Sequence, residues 1–450
     1  MQLFSSPRDF ARPLAALPRA VVAGLACCLL AACGGGGGGR DVPVVEPDSC
    51  IRLPDEITWT RSTQASADWN DVLVDARNRI WLAGYSEGTV GQERLDPGGN
   101  SRAVVRLLAP DGHLLWDSGA RLDTPGTDVA EALALTATGT VFVVGRTTQA
   151  FAGGRNGGGF DVFVAWAEDG ADAWRTVMTG DARPQHPRRA VVAPGGELLV
   201  AGYDDEYIPS NYLEAWTDAF AMKFRHPGTG TDRDRLDAVW WHRFRTSEPD
   251  LVEGLAVGSD GSTYVSGMVG SGPARGAFVR KLDVQGAVLW TARYSAQATD
   301  EVRAVKVLAN GELLIAGSVF GSFQGAAAYG GQDVFVARVD PVDGHVIERW
   351  QYGSAGADWL TDMTIDPQGR VILLGETDGS VVPDQAPAGL GDLFMLRLAA
   401  NGTVIGRRQW GTADEERGQR VATDGCGRVV AVGSSTRSRV RAGVLWYWKP

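Results

Sequence analysis

Histidine and cysteine are both scarce in this chain, five of each among 450 residues. The histidines are scattered singly and no histidine–cysteine set has metal-ligand spacing, which excludes a zinc site. Asp232, Asp234 and Asp237 look faintly like a calcium loop but lack the glycine its sixth position requires. Long apolar runs are missing as well. The longest, residues 20–32, falls short of the ~20 residues that span a bilayer, and no second run approaches it. Positive charge is in deficit, with 54 Asp and Glu against 43 Lys and Arg, a net charge of −11. Such a surface repels phosphate backbones, so nucleic acid is excluded as a partner. Enzyme signatures are absent too: Gly84-Tyr85-Ser86-Glu87-Gly88 fits a nucleophile elbow on paper, but that motif needs a strand-to-helix turn. His242 and His345 fall in expected outer strands, where surface roles outweigh catalysis. No catalytic residue is assigned, and no metal or cofactor is expected.

What is present begins with an address. Arg8, Arg12 and Arg19 precede the apolar run 20–32, the layout of an export signal. The run ends Leu30-Ala31-Ala32-Cys33, which resembles the lipobox of bacterial lipoproteins. That resemblance implies cleavage before Cys33, palmitate and other acyl chains at that residue, and a membrane held through lipid. Residues 33–55 then form a tether, with the glycine run 34–39 supplying its flexibility. Gly34 stands where an aspartate would signal inner-membrane retention. The expected location is the outer membrane, periplasmic or surface-exposed. Loss of the signal, with Arg8, Asp9, Arg12 and Arg19, takes the net charge to −13. Cys27 and Cys28 leave with it. Cys50 and Cys426 remain, and two thiols in an oxidising envelope are disulfide candidates.

The rest of the chain, residues 56–450, repeats. Seven apolar runs end in glycine, at Gly84, Gly145, Gly202, Gly267, Gly317, Gly375 and Gly433, spaced 61, 57, 65, 50, 58 and 58 residues apart. A strand-only repeat of this length signals stacked four-stranded modules and so a β-propeller. Residues 331–375 read as strand (VFVARV), Asp-Pro and Asp-Gly turn, strand (HVIERWQY), glycine-rich turn, strand (LTDMTI), turn (DPQG), strand (RVILLG). This pattern resembles the bacterial SBBP-type β-propeller repeat, a likeness that covers essentially residues 56–450 and implies architecture rather than one activity. With strands lettered A to D from the channel outward, the first D strand (ITWTRST) precedes any A strand, and the chain ends on a C strand. The expectation is therefore an all-β, seven-bladed propeller of four-stranded antiparallel blades, the N-terminal strand completing the C-terminal blade. Unpaired edges there would leave backbone groups unsatisfied. Cys50 and Cys426 would then sit at one seam.

Two groups of residues stand out as candidate sites. The B–C connections 85–102, 146–161, 203–218, 318–333 and 376–392 run longer than a turn requires, which marks one face for binding. In the 203–218 loop, Tyr203, Tyr207, Tyr212 and Trp216 interleave with Asp204, Asp205, Glu206 and Glu214, and aromatic platforms beside carboxylates suit sugars or cationic groups. Asp128, Asp250, Asp300, Asp358 and Glu416 each lie 17 residues before their blade's glycine, with Asp68 one position off. These acids are expected to ring the channel mouth, chiefly as caps of their own turns. The reading is a monomeric, lipid-anchored, non-catalytic binding or scaffold module with a protein or glycan partner on the B–C loop face. Its rivals are an accessory lipoprotein of outer-membrane protein assembly, and a propeller hydrolase or lyase working at the channel mouth.

Overall fold

The fifth blade shows how the repeat folds. Strands A (Glu301–Val307), B (Leu313–Phe320), C (Gln332–Val339) and D (Val346–Tyr352) run as an antiparallel meander. The A–B reversal is Ala309-Asn310-Gly311, and Gly311 sits at φ 88, a left-handed conformation that costs glycine little. Strands B and C are buried on both faces because neighbouring blades stack against them, so B reads as an unbroken apolar run. Strand D alternates, with one face in solvent.

This structure, a computed structural model, describes residues 60–61, 66–87, 101–151, 154–168, 174–206, 216–225, 236–244, 249–270, 276–294, 300–389, 391–413, 415–437 and 440–448. The export segment 1–32, Cys33, the tether to residue 55, Cys50, Tyr207, Tyr212, Glu214, Asp232 and Asp234 lie outside the described residues. For Glu206 and Trp216 only the course of the strand is described.

Seven antiparallel sheets arise from the repeat. Their innermost strands are Ser66–Val74, Asp128–Leu135, Gln185–Val192, Asp250–Val257, Glu301–Val307, Asp358–Ile365 and Glu415–Thr423. Each touches the next around the ring, and the last touches the first. The architecture is a β-propeller. Its core is divided among seven apolar clusters, each lying between two neighbouring blades.

The expectation of seven like blades closed by the N-terminal strand is corrected. Six blades are built from four consecutive strands, whereas the last contributes only three: Glu415–Thr423, Val429–Arg437 and Val440–Trp448. Of the segment ITWTRST, the described residues pair only as Thr60 with Leu445 and Arg61 with Val444. Two residues of ladder do not close a ring. Closure rests instead on Trp69, Ile80, Leu82 and Val104 of the first blade packed against Val430 and Val432 of the last. Polar contacts between turns add to it: Asn78 accepts from the Gly425 amide (2.9 Å), and Arg428 donates to the Pro110 carbonyl (3.3 Å). His345 is displaced as well, lying in the C–D turn just before its strand.

The seven glycines have a steric cause. In every blade the A–B ladder shifts register once, leaving one A-strand residue without a partner: a β-bulge. The residue just before that bulge pairs with the glycine, as Val302 with Gly317 and Leu360 with Gly375. A Cβ there would drive into an A-strand carbonyl oxygen, that of Glu301 at Gly317 and of Leu251 at Gly267. On the C-strand side a buried phenylalanine faces the same glycine in five blades: Phe163, Phe220, Phe278, Phe335 and Phe394. Gly317→Ala is therefore expected to lower the unfolding free energy by about 2 kcal/mol, the cost of an overpacked core. Gly391→Ala, at a glycine with open space around its Cβ position, should leave it unchanged. Chemical denaturation of both variants checks this; equal losses would refute the steric explanation.

Candidate functional site: the channel mouth

The bulges decide what faces the channel. Their unpaired residues are Asn70, Glu131, Arg188, Glu253, Arg303, Thr361 and Gln419, each 14 residues before its blade's glycine. All seven are polar. All except Glu253 line a cavity of about 770 Å³ at the channel mouth. B-strand residues just past the glycines, Tyr85, Arg146 and Glu376, share the lining, as do Ser101, Phe160 and Gly391 where C strands begin. The cavity therefore opens on the face that bears the B–C loops.

Around blades two to five the charges neutralise one another. Arg146 meets Glu131 at 2.9 Å, Arg188 meets Glu253 at 3.2 Å, and Arg303 meets Glu301 at 2.6 Å. Burial alone would raise the Glu253 carboxyl, but Arg188, Arg303 and Arg189 outweigh it and hold it below its ordinary value. Arg188 is raised in turn, chiefly by Glu253. In blade seven Arg417 pairs with Glu415 at 2.7 Å. Glu376 accepts the Gly418 amide (3.1 Å), and burial keeps it above the ordinary carboxylate range despite Arg417 nearby.

One residue further along each inner strand lies the floor, where Asp71, Arg189, Asp362 and Arg420 meet. Arg189 donates to Asp362 at 3.3 Å, and Arg420 approaches Asp71 at 4.0 Å. The two aspartates also latch blades together. Asp71 accepts the Leu133 amide of the second blade (2.7 Å), and Asp362 accepts the Val421 amide of the seventh (3.0 Å). Burial pushes Asp71 up to about 7, with the Leu133 amide and Arg189 opposing.

Asp128, Asp358 and Glu416 cap their own turns as expected, but the expected acids do not ring the cavity. Of the six, only Glu416 lines the cavity. Asp128 accepts the Thr124 amide (2.6 Å), Asp358 the Ser354 amide (2.6 Å) and Glu416 the Thr412 amide (3.0 Å), each four residues back. Asp300 accepts the Phe320 amide (2.8 Å), Asp68 the Tyr85 hydroxyl (2.8 Å), and Asp250 is buried at the start of its strand. The 203–218 segment is described only at its two ends. Strands Leu198–Glu206 and Trp216–Arg225 continue into it, pairing Tyr203 with Ala219 through to Glu206 with Trp216. Its described side chains are used internally. Asp204 is buried against Arg243, Asp205 meets His186 Nε2 at 2.9 Å, and the Tyr203 ring stacks on His186 with centroids 4.9 Å apart.

The long loops of blades five and six are held by a shared device. Gln351 Oε1 accepts the Phe323 amide (2.9 Å), while its Nε2 donates to Gly321 O (2.6 Å) and Asp333 (2.7 Å). Gln409 repeats this with the Val381 amide (2.9 Å), Gly379 O (3.0 Å) and Asp392 (2.9 Å). On the opposite face, Cys426 occupies the last A–B turn and is disulfide-bonded. Its expected partner, Cys50, lies outside the described residues.

No protein-family model matches this chain, and no curated protein does. Among solved structures it is similar to virginiamycin B lyase from Staphylococcus aureus (8% identity, 87% of this chain and 98% of that one, TM-score 0.46). It is also similar to Sqt1 from Chaetomium thermophilum bound to the N-terminus of ribosomal protein L10 (10%, 88% and 100%, 0.48). A third likeness is to YCF48 bound to D1 peptide (12%, 89% and 96%, 0.48). These neighbours are propellers, lyase and binding modules alike. With every TM-score below 0.5, the likenesses transfer neither activity nor partner to this chain.

Two outcomes test the electrostatics. Arg188→Leu leaves Glu253 buried without its nearest cation and should destabilise the fold by about 3 kcal/mol, measured by denaturant titration. Asp71 binds its proton more tightly folded than unfolded, so between pH 4 and about 7 its contribution to stability is lost as pH rises. Asp71→Asn should flatten that slope and be the more stable protein at pH 8, by up to about 4 kcal/mol. An unchanged pH profile in the variant would contradict the assignment.

Proposed function

We propose that this chain is a non-catalytic binding module of the SBBP-type repeat, held at a bacterial outer membrane through lipid on Cys33. Its ligand or protein partner enters at the channel mouth on the B–C loop face. The cavity itself carries the reading: about 770 Å³, within the range of ligand pockets, on the face where connections are long. Among the described residues its lining includes no histidine and no cysteine, and its arginines are already matched by carboxylates. Such a site holds a ligand better than it activates one.

The anchor follows from the lipobox-like residues 30–33 and the glycine run after them. We pair Cys426 with Cys50, the cysteine left once Cys27 and Cys28 depart and Cys33 takes lipid. That bridge would tie the tether to the face of the A–B turns and leave the mouth pointing away from it. The test places a photo-crosslinking amino acid at exposed residues of either face in intact envelopes. Phe320 and Tyr329, in the 318–333 loop, should give adducts; Val342, in a C–D turn opposite, should not. Adducts from Val342 alone would overturn the reading. An adduct with outer-membrane assembly proteins would favour the accessory role among binding functions.

A further inference from the structure

The mouth is not uniform. Blades two to five present ion pairs, whereas the sector formed by blades six and seven sets the uncharged side chains of Trp359, Thr361 and Gln419 beside Glu376, Glu416 and the Arg417–Glu415 pair. Trp359 lies in an innermost strand yet is 38% exposed, an indole left in water where packing would hide it. In the other blades the equivalent position, 16 residues before the glycine, holds Asp68, Val129, His186, Leu251, Glu301 and Arg417. No repeat rule therefore calls for tryptophan there. Thr361 is the bulge residue two places along the same strand, and Gln419 is the bulge residue of the next blade.

These three side chains have another property in common. Among the described residues the Trp359 ring N–H, the Thr361 hydroxyl and the Gln419 amide make no hydrogen bond. Each lines the cavity, so each offers its hydrogen-bonding capacity to whatever enters. Glu376, register partner of Trp359, lines it as well, beside Arg417. The sector thus joins an exposed aromatic plane to uncharged donors and acceptors set at one level, about 6.6 Å from the indole along the strand. A ligand complementary to it has an apolar face for the ring and a rim of hydroxyls, and carries no net charge. An anion gains little here because Arg188, Arg303 and Arg417 already have carboxylates.

We propose that this sector binds the terminal pyranose of a neutral glycan, stacked on Trp359 and hydrogen-bonded by Thr361 and Gln419. The assignment rests on the channel mouth being the binding site and names the ligand class for it. The sugar is presented either free or as the end of a conjugated chain, and both share this chemistry.

The full chain in detergent is titrated with neutral methyl glycosides of glucose, galactose, mannose and N-acetylglucosamine, followed by ligand-observed NMR. In a second arm the same sugars are carried on a neutral protein. At least one sugar should bind with a dissociation constant of about 1 mM. Trp359→Ala should abolish the signal, and Gln419→Ala should weaken it about tenfold, the loss of one good contact. Binding in the first arm identifies a free saccharide; binding only in the second identifies a conjugate. If Trp359→Ala fails to fold, Gln419→Ala and Thr361→Ala decide the matter alone. No binding of any sugar in either arm overturns the proposal, as does binding unchanged in these variants. Crosslinks from Phe320 and Tyr329 would survive that failure, so the binding-module reading stands or falls separately.

Discussion

Everything distinctive about this propeller depends on one close contact, repeated in every blade: an inner-strand bulge pressed against a glycine. The carbonyl displaced by the bulge occupies the space where a Cβ would stand, so no other residue is admitted. In exchange, the strand gains a residue freed from its partner strand and turned to the channel. Such residues, six of the seven lining the cavity, give the chain a polar lumen without disturbing its apolar blade interfaces. A feature of the backbone thus decides the chemistry of the cavity.

The charges that follow are arranged by position rather than by net sign. An acidic chain carries an almost neutral channel, because cations and carboxylates meet as pairs, within a blade as Arg146 with Glu131 and Arg303 with Glu301 or between adjacent blades as Arg188 with Glu253. Burying such groups singly would cost several kcal/mol each, and pairing with backbone contacts offsets this. Asp71 and Asp362 go further by accepting amides from the neighbouring blade, so part of the electrostatics is also the glue between blades. The uncharged side chains of Trp359, Thr361 and Gln419 at blades six and seven stand out against this background.

Much of the architecture was legible in the sequence. The glycine-ended runs marked the B strands, and Asp-Gly and Asn-Gly pairs marked the reversals, since both signals arise within a few residues of backbone. Closure was less legible. The order of strands pointed to ITWTRST, but the apolar contact of Trp69 and Leu82 with Val430 and Val432 is non-local and has no signature. The residues that line the cavity were less legible than the acids. Acids at 17 residues before the glycine are conspicuous because they are nearly all Asp, and that sameness reflects the turn they cap. The lining residues at 14 share polarity rather than identity, which hid them. Within residues 203–218, the Tyr203–Asp205 stretch lies in a lengthened hairpin whose described side chains bind His186 and Arg243 of the same blade.

The interface between the first and last blades has a further consequence. In an open stack of repeats the end units have one neighbour each and fray first. Here each inner strand has two neighbours, and no blade is an end in the mechanical sense. Unfolding must begin by parting an apolar interface somewhere in a closed circle, before any chain entropy is released. The barrier to opening is then higher than the free energy per blade suggests, and the protein's persistence becomes a matter of rate.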